Sequence, residues 1–219
     1  MKYFLCQTMG QDPKNKKFIA LAVVLFCIAV IYGLKLAKGS DPVSSGSATL
    51  PRAKGNPQAP LKIVEYMDFQ CPACARGAFF LDDLLKNKPD EVYMEVRYFP
   101  LEGNHRHALR SARYAECAAQ QGKFWDVAHL LFKRQSEWKD LINADPVFEE
   151  ITKSVQLDMN KLDVCLANEA TTDALVKDKQ EGQSRGVRST PTYFVNEKMV
   201  VGSNSLEEEL MDFFGRVKH

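Results

Sequence analysis

The clearest chemistry in the sequence belongs to two cysteines in the motif Cys-Pro-Ala-Cys at residues 71–74. A β-type stretch, residues 61–66, precedes the motif, and a helical stretch, residues 75–85, follows it. This order places the first cysteine at a helix N-terminus, where unpaired N–H groups and the helix dipole stabilise a thiolate. The second cysteine lies one turn on, close enough to form a disulfide with the first. The motif therefore predicts a redox-active dithiol.

Pro72 suits the first turn of that helix, because its missing N–H would have no intrahelical partner. Two other interpretations compete with a redox site. A Cys-x-x-Cys motif is also half of a zinc site, but the candidate ligands His105 and His107 would point to different faces of a helix. A purely structural disulfide would close too short a loop to gain much stability. We predict thiol chemistry and no metal site.

The strands and helices around the motif must hold the cysteines at the end of a sheet. A second strand is predicted over residues 91–99, so that residues 61–99 form a β-α-β unit with a parallel strand pair. Residues 103–185 show the apolar periodicity of five helices. Strand character returns at residues 192–195 and 199–201, before a last amphipathic helix. This order predicts an α/β sheet interrupted by a helical insertion.

Several helix ends carry local signals. Asp158 is a predicted N-cap for the fourth inserted helix, and Thr171 or Thr172 is expected to start the fifth. Gly186 is a plausible stop for that helix. Residues 205–208, Ser-Leu-Glu-Glu, predict a capping box at the start of the last helix.

The N-terminal region predicts a membrane anchor. Residues 18–34 carry no charge and would span about 25 Å as a helix. Lysines in residues 1–17 favour a cytoplasmic tail and an exported remainder. Lys35 disfavours signal cleavage after Ala37, so we expect an uncleaved anchor, with a removed signal peptide as the alternative. Residues 35–60 are rich in Gly, Ser and Pro and predict a flexible linker.

Composition excludes other classes. The chain has 219 residues, of which 45% are apolar, and its formal net charge is +1. These values fit a globular protein with a sizeable core and argue against nucleic acid as the main partner. There is no Gly-rich phosphate loop in the sequence.

Two segments and the insertion between them support a family resemblance. Residues 65–74 read Glu-Tyr-Met-Asp-Phe-Gln-Cys-Pro-Ala-Cys, and residues 189–196 read Ser-Thr-Pro-Thr-Tyr-Phe-Val-Asn. Together with the helical insertion, they resemble the DsbA-like thiol:disulfide oxidoreductases of the thioredoxin superfamily. Residues 122–125, Gly-Lys-Phe-Trp, are also similar to this family. The resemblance covers residues 48–216.

The resemblance implies a thioredoxin fold interrupted by a helical domain, here preceded by one transmembrane helix. The first part of the thioredoxin domain would be residues 61–102 and the second part residues 186–219. The inserted helical domain would be residues 103–185.

The resemblance also implies three catalytic roles. Cys71 would be the nucleophile that forms a mixed disulfide with the substrate, and Cys74 the buried partner that resolves it. Glu65 would lie behind the buried cysteine and help to move its proton. An acid in an otherwise apolar strand is a candidate for a raised pKa. The alternative is a solvent-facing strand residue on the same face as Ile63.

For substrate binding, the resemblance implies that Thr190 and Pro191 form a cis-proline loop that faces the cysteines and pairs with an extended peptide. Pro72 and Ala73 would lie beside the same substrate. The alternative is a trans proline that starts a strand.

Ala73 departs from the strongest oxidants of the family, which carry histidine between the cysteines. We therefore expect a less depressed Cys71 pKa and a less oxidising disulfide than in those proteins. The Thr190 hydroxyl is expected near the sulfurs, where it could tune the potential.

Cys117 and Cys165 lie on separate predicted helices of the insertion. Some DsbA-like proteins have a second disulfide in the helical domain, so the resemblance implies that these two cysteines are bonded. The alternative is two buried free cysteines.

The resulting hypothesis is a membrane-anchored enzyme that introduces disulfides into exported, cysteine-containing proteins. It would lie in a bacterial inner membrane with the catalytic domain on the extracytoplasmic side. No cofactor is expected. A quinone-linked membrane oxidase of the DsbB or vitamin K epoxide reductase type would reoxidise it. The alternatives are a reductase or isomerase of the same fold, or a thioredoxin-fold chaperone or assembly factor.

Overall fold

A mixed β-sheet organises the part of the chain that the computed structural model describes, residues 51–217. Its strands are β1 (Ala53–Gly55), β2 (Leu61–Met67), β3 (Val92–Tyr98), β4 (Thr192–Val195) and β5 (Lys198–Val201). Their spatial order is β1-β3-β2-β4-β5. Strands β2 and β3 are parallel, whereas the other neighbouring pairs are antiparallel. The predicted strands are thus present in a mixed α/β sheet.

Helix α1 (Pro72–Asn87) connects β2 to β3. A parallel pair needs such a crossover, because a tight turn cannot return the chain to the same end of the sheet. Between β3 and β4 lie α2 (Ala108–Ala119), α3 (Phe124–Lys133), α4 (Gln135–Trp138), α5 (Asp145–Ser154), α6 (Met159–Ala167) and α7 (Glu169–Ser184). Helix α8 (Ser203–Val217) follows β5. The domain boundaries given by the sequence stay predictions.

Some local predictions are confirmed and others are wrong. Asp158 caps α6 by accepting a hydrogen bond from the Lys161 N–H at 3.2 Å, and Gly186 adopts a φ of 90° after α7. Helix α7 begins at Glu169, before the two threonines, because the Asn168 side chain caps it through the Ala170 N–H at 3.0 Å.

The predicted capping box at residues 205–208 is wrong, because α8 already begins at Ser203. The short helix α4 was not expected from the sequence. Its four residues are too few for the apolar repeat on which a helix prediction depends.

The predicted flexible linker is wrong at its C-terminal end, since β1 forms within residues 35–60. Strand β1 pairs with β3, and the Ala53 side chain is buried. Gly55 has a φ of 94°, and a Cβ there would lie 2.1 Å from the Val92 carbonyl oxygen. Only glycine fits this close approach of the backbone.

The predicted tail, the anchor over residues 18–34 and most of the linker lie outside the described residues. Within residues 51–217, no helix is both long enough and apolar enough to cross a membrane.

Large side chains fill the core beside the sheet and among the inserted helices. Trp138 is fully buried, and its indole N–H donates a hydrogen bond to the Leu131 carbonyl at 2.9 Å. Its ring also contacts Phe148, with the ring centroids 5.1 Å apart. The inserted helices therefore have a well-packed interior on which the site can depend.

Candidate active site

Cys71 lies at the junction of β2 and α1, as the N-cap of the helix, with Pro72 at the first helical position. No side-chain hydrogen bond caps this helix N-terminus. Its first N–H groups therefore point at the cysteine without competition from a capping side chain. The exposed fraction is 8% for Cys71 and 0% for Cys74. The first sulfur is thus the one that solvent and substrates can reach.

The loop before β4 closes over Cys71. The Thr190–Pro191 peptide bond is cis, and Cys71 Sγ lies 3.3 Å from the Thr190 carbonyl oxygen. The structure thus brings together two segments that are 119 residues apart in the sequence.

Two buried polar side chains that the sequence did not single out hold the loop before Cys71. Gln135 donates from its amide nitrogen to the carbonyls of Phe69, at 2.7 Å, and Cys71, at 3.1 Å. Asp68 accepts hydrogen bonds from the backbone N–H groups of Gln70 and Leu101. A glutamine on a four-residue helix gives no sequence signal of this role.

The two histidines considered as zinc ligands have other partners. His105 Nδ1 lies 2.8 Å from a carboxylate oxygen of the buried Asp68. His107 Nε2 lies 2.8 Å from the carbonyl oxygen of Leu141. Among residues 51–217, no group of three or more His, Cys, Asp or Glu side chains is arranged to hold a metal ion.

The local structure lowers the pKa of Cys71 to about 5. The largest cause is a hydrogen bond from the Cys74 side chain, which outweighs the opposing effect of burial. Backbone hydrogen bonds from Cys74 and Ala73 and the Thr190 side chain act in the same direction. The lowered pKa favours the thiolate form of Cys71 at neutral pH, and a thiolate is both a nucleophile and a good leaving group.

The pKa of Cys74 moves in the opposite direction, well above its ordinary value, chiefly because its thiol is fully buried. Its interactions with Cys71 and the nearby charge of Glu65 raise the pKa further. The Asp68 backbone N–H, 3.5 Å from Cys74 Sγ, acts weakly against this rise. A thiolate formed at Cys74 during disulfide exchange would therefore take up a proton.

Glu65 lies in the middle of β2, opposite Val96 of β3 and Tyr193 of β4, and only 2% of its surface is exposed. This excludes the solvent-facing alternative. Burial raises the pKa of Glu65 to about 8, with the Tyr193 hydroxyl acting to lower it and the Cys71 charge to raise it. A carboxyl group with this pKa can give up or take a proton near neutral pH.

Tyr193 is a further residue that the sequence did not assign to the site. Its ring is fully buried, and its hydroxyl lies against Gly77 of α1. The charges of Glu65 and Cys74 raise its pKa, in addition to the larger effect of burial. A strand tyrosine is ordinarily read as packing, so only the three-dimensional structure reveals this position.

Away from the dithiol, a disulfide with a Cα–Cα distance of 5.7 Å joins Cys117 of α2 to Cys165 of α6. Cys71 and Cys74 are free thiols in this structure. Residues 51–217 therefore contain one formed disulfide, in the helical part, and one pair of free thiols, at the helix N-terminus.

Comparison with known proteins agrees with this geometry. The family described as thioredoxin matches residues 48–211. Among curated relatives, the chain is 33% identical over 168 residues to the Na⁺/H⁺ antiporter NhaA 1 of Mycolicibacterium gilvum, covering 76% of this chain and 25% of that protein. The antiporter NhaA of Herminiimonas arsenicoxydans is 32% identical over 152 residues, covering 68% of this chain and 23% of that protein. The chain thus spans about a quarter of the length of these relatives.

Solved structures show the same fold at low identity. BdbD of Bacillus subtilis in its oxidised form has a TM-score of 0.63 at 22% identity, covering 74% of this chain and 91% of that chain. The T172V form of Wolbachia pipientis α-DsbA1 has a TM-score of 0.64 at 17% identity, covering 75% and 91%. A thioredoxin-like oxidoreductase of Silicibacter pomeroyi has a TM-score of 0.60 at 23% identity, covering 74% and 91%. These likenesses place the sheet and helices described above in a thioredoxin-like α/β fold.

Proposed function

Because this chain belongs to the thioredoxin family and shares its fold with DsbA-like proteins, we propose that it introduces disulfides into exported, cysteine-containing proteins. One observation carries the proposal: Cys71 lies accessible at a helix N-terminus, 3.3 Å from the Thr190 carbonyl oxygen, whereas Cys74 is fully buried. This placement lowers the pKa of Cys71 and raises the pKa of Cys74. A disulfide between two such sulfurs is readily given away, because its reduced form is stabilised by the thiolate at Cys71.

The proposed reaction transfers two electrons from a substrate dithiol to the Cys71–Cys74 disulfide. A substrate thiolate attacks Cys71 Sγ, and Cys74 leaves as a thiolate. Glu65 then donates its proton to Cys74, whose raised pKa favours the thiol. The second substrate thiolate attacks the substrate sulfur of the mixed disulfide, and Cys71 leaves as a thiolate. The products are a substrate disulfide and a reduced enzyme.

We assign substrate positioning to the loop at Thr190 and Pro191 and to the residues between the cysteines, Pro72 and Ala73. The Thr190 carbonyl, 3.3 Å from Cys71 Sγ, is a hydrogen-bond acceptor at the place where a bound peptide would reach the sulfur. An extended peptide can form backbone hydrogen bonds with such a carbonyl group.

The cellular setting follows from the sequence and the resemblance. We propose that residues 18–34 anchor the chain in a bacterial inner membrane, with the catalytic part on the extracytoplasmic side. Two electrons must leave the reduced enzyme in each cycle. A quinone-linked oxidase of the DsbB or vitamin K epoxide reductase type would accept them. Antiport is not part of the proposal, since the chain matches only about a quarter of the relatives so named.

The test compares two assays of the full chain in mild detergent. The oxidised protein should refold reduced, denatured ribonuclease A faster than glutathione disulfide alone, and the reduced protein should be a poor catalyst of insulin reduction. Poor refolding together with efficient insulin reduction would instead assign a reductase. Ala73 motivates this alternative, because it stands where a histidine would stabilise the thiolate.

Cysteine variants separate the enzyme from a chaperone. Cys71→Ser should abolish refolding activity. Cys74→Ser should accumulate a mixed disulfide when it is mixed with oxidised insulin, because Cys71 attacks an insulin disulfide, the other insulin sulfur leaves, and no Cys74 is present to resolve the product. Cys6→Ser, which removes a cysteine outside the proposed site, is the matched control and should retain activity. Full refolding activity in Cys71→Ser would contradict the enzyme and favour a binding function.

A further inference from the structure

A cavity of about 600 Å³ lies between α1, α3 and the sheet, and Glu65 is one of its lining residues. The neighbouring sheet positions Met67, Met94 and Val96 line it as well. Helix α1 contributes Ala78 and Phe79. The first turn of helix α3 contributes the aromatic side chains Phe124 and Trp125. The volume is in the range of small-molecule binding sites.

One residue that lines the cavity has a buried polar atom without a hydrogen-bond partner. Within residues 51–217, neither Oε1 of Glu65 nor the hydroxyl oxygen of the neighbouring Tyr193 has a partner at hydrogen-bond geometry, although Glu65 is only 2% exposed and Tyr193 is fully buried. The Tyr193 hydroxyl therefore affects the Glu65 carboxyl group without satisfying Oε1. A buried acceptor or donor without a partner destabilises the folded protein. A molecule in the cavity that supplied this hydrogen bond would recover that free energy.

The remaining lining selects the kind of molecule. Aromatic rings and methionine sulfur on the walls favour a flat ring. The charged groups at the cavity already have partners of opposite charge: Lys54 lies 3.0 Å from Asp82, and Lys123 lies 3.5 Å from Asp126. An ionic ligand would compete with these pairs, so the lining favours a neutral one.

We propose that this cavity is a binding site for a small, neutral aromatic molecule whose hydrogen-bonding group, such as a carboxamide or a phenol, is directed at Glu65. Burial favours the protonated form of the Glu65 carboxyl group. A protonated carboxyl group both donates and accepts a hydrogen bond, as a carboxamide does.

This site would regulate the dithiol, a consequence that rests on the proposed function. A ligand bonded to Glu65 occupies the group that supplies the proton to Cys74, so occupancy should slow disulfide transfer. The ligand can shift the redox equilibrium only if it binds the oxidised and reduced forms with different affinities. The factor by which the equilibrium constant changes then equals the ratio of those two affinities.

Binding can be measured without any enzyme assay, through tryptophan fluorescence of the full chain in mild detergent. The chain has two tryptophans; Trp125 lines the cavity, whereas Trp138 is fully buried. The probe is 4-nitrobenzamide, a neutral aromatic amide whose nitro group quenches indole. Nitrobenzene is the comparison probe, because it has the same quenching ring without the amide.

We expect saturable quenching by 4-nitrobenzamide, with an affinity about tenfold higher than for nitrobenzene, the ratio that one hydrogen bond supplies. Ala78→Phe, which fills the cavity, should abolish saturation, whereas Ala174→Phe, a half-buried alanine outside the cavity, should not. Glu65→Leu should bind both probes with equal affinity, because the carboxyl group that bonds the amide is removed. This variant tests the proposal even if Ala78→Phe does not fold.

Linear, unsaturable quenching of the unmodified chain would show that the cavity holds only water and would overturn the proposal. Saturable quenching that Ala78→Phe leaves unchanged would place the probe elsewhere and also overturn it. Neither result would change the ribonuclease refolding activity on which the proposed function depends. Conversely, a chain without refolding activity could still bind the probe, so the two proposals can fail independently.

Discussion

Cys71 and Cys74 are both buried by the rest of the protein, yet their pKa values move in opposite directions. Burial alone would raise both, because it disfavours a charged sulfur. Hydrogen bonds converge on Cys71 at the helix N-terminus and reverse the direction there. The same hydrogen bond from Cys74 to Cys71 keeps the proton on Cys74. The two residues therefore divide one negative charge unequally, as a nucleophile and its resolving partner require.

At this scale, the first prediction concerns the pH dependence of Cys71. Iodoacetamide should alkylate the reduced chain at one active-site cysteine, with a rate that rises through a midpoint near the pKa of about 5. Peptide mapping should locate the label on Cys71 and not on Cys74. A midpoint near 9, the ordinary value for a thiol, would contradict the described hydrogen bonding.

The second prediction concerns Glu65. Its pKa is raised from 4.5 to about 8 in the folded protein, so the unfolded chain loses this proton first as the pH rises. Stability should therefore fall between pH 4.5 and 8. Glu65→Gln removes this loss and should be more stable than the unmodified chain above pH 8, by up to roughly 5 kcal/mol. The two proteins should become alike in stability below pH 4.5.

Urea unfolding at pH 5 and pH 8.5 measures this difference, with both proteins in the same redox state. Glu65→Gln should also slow disulfide transfer, since an amide cannot supply the proton. Equal stability of the two proteins at pH 8.5 would mean that Glu65 is not a buried, protonated carboxyl group.

At the scale of elements, α1 approaches the sheet unusually closely where Gly77 meets Tyr193. A Cβ at position 77 would lie 2.0 Å from the Tyr193 hydroxyl oxygen. The tyrosine is fully buried, so its ring cannot move aside without disturbing the core. Glycine at this position thus sets how near the cysteine helix lies to β4.

Gly77→Ala should therefore destabilise the fold by about 1–3 kcal/mol. Adding Tyr193→Phe removes the clashing oxygen and should restore most of the loss, because the next atom is 3.2 Å from the added Cβ. Gly103→Ala, where a Cβ would meet no atom within 4 Å, is the control. Failure of the double variant to recover stability in urea unfolding would contradict this packing.

The sequence predicted those elements whose signals are local. The cysteine at a helix N-terminus, the Asp158 cap and the Gly186 stop each depend on a few neighbouring residues. Strand β1 could not be predicted in this way, because three residues in a Gly- and Pro-rich stretch become a strand only by pairing with β3. Likewise, Gln135 reaches Cys71 across 64 residues of sequence.

At the scale of the molecule, an ionic cluster joins the start of the described chain to the inserted helices. Arg52 forms an ion pair with Asp178 of α7, and its Nε lies 3.4 Å from a Glu116 oxygen of α2. Its guanidinium group also lies 4.4 Å from the centre of the Tyr98 ring. The Asp178 carboxylate accepts the Tyr98 backbone N–H at 3.0 Å as well. The cluster thus ties the sheet to two of the inserted helices.

Removing the cation from this cluster should be costly, because Asp178 is nearly fully buried. Arg52→Met should destabilise the protein by roughly 3–5 kcal/mol, since it leaves a buried charge without its main partner. Arg52→Met with Asp178→Asn should recover part of that loss. Arg188→Met, which removes an arginine that donates to the backbone carbonyls of Gln183 and Val187, should have little effect in the same unfolding measurement.

The most direct test of the central claim is the equilibrium reduction potential of the Cys71–Cys74 pair, measured for the full chain against glutathione buffers. The account predicts a potential above that of thioredoxin, about −270 mV, and near or above the roughly −200 mV of an oxidising compartment. Such a disulfide would be given to substrates. A potential at or below the thioredoxin value would mean that the dithiol is the working form, and would contradict the assignment of this chain as an oxidant of exported proteins.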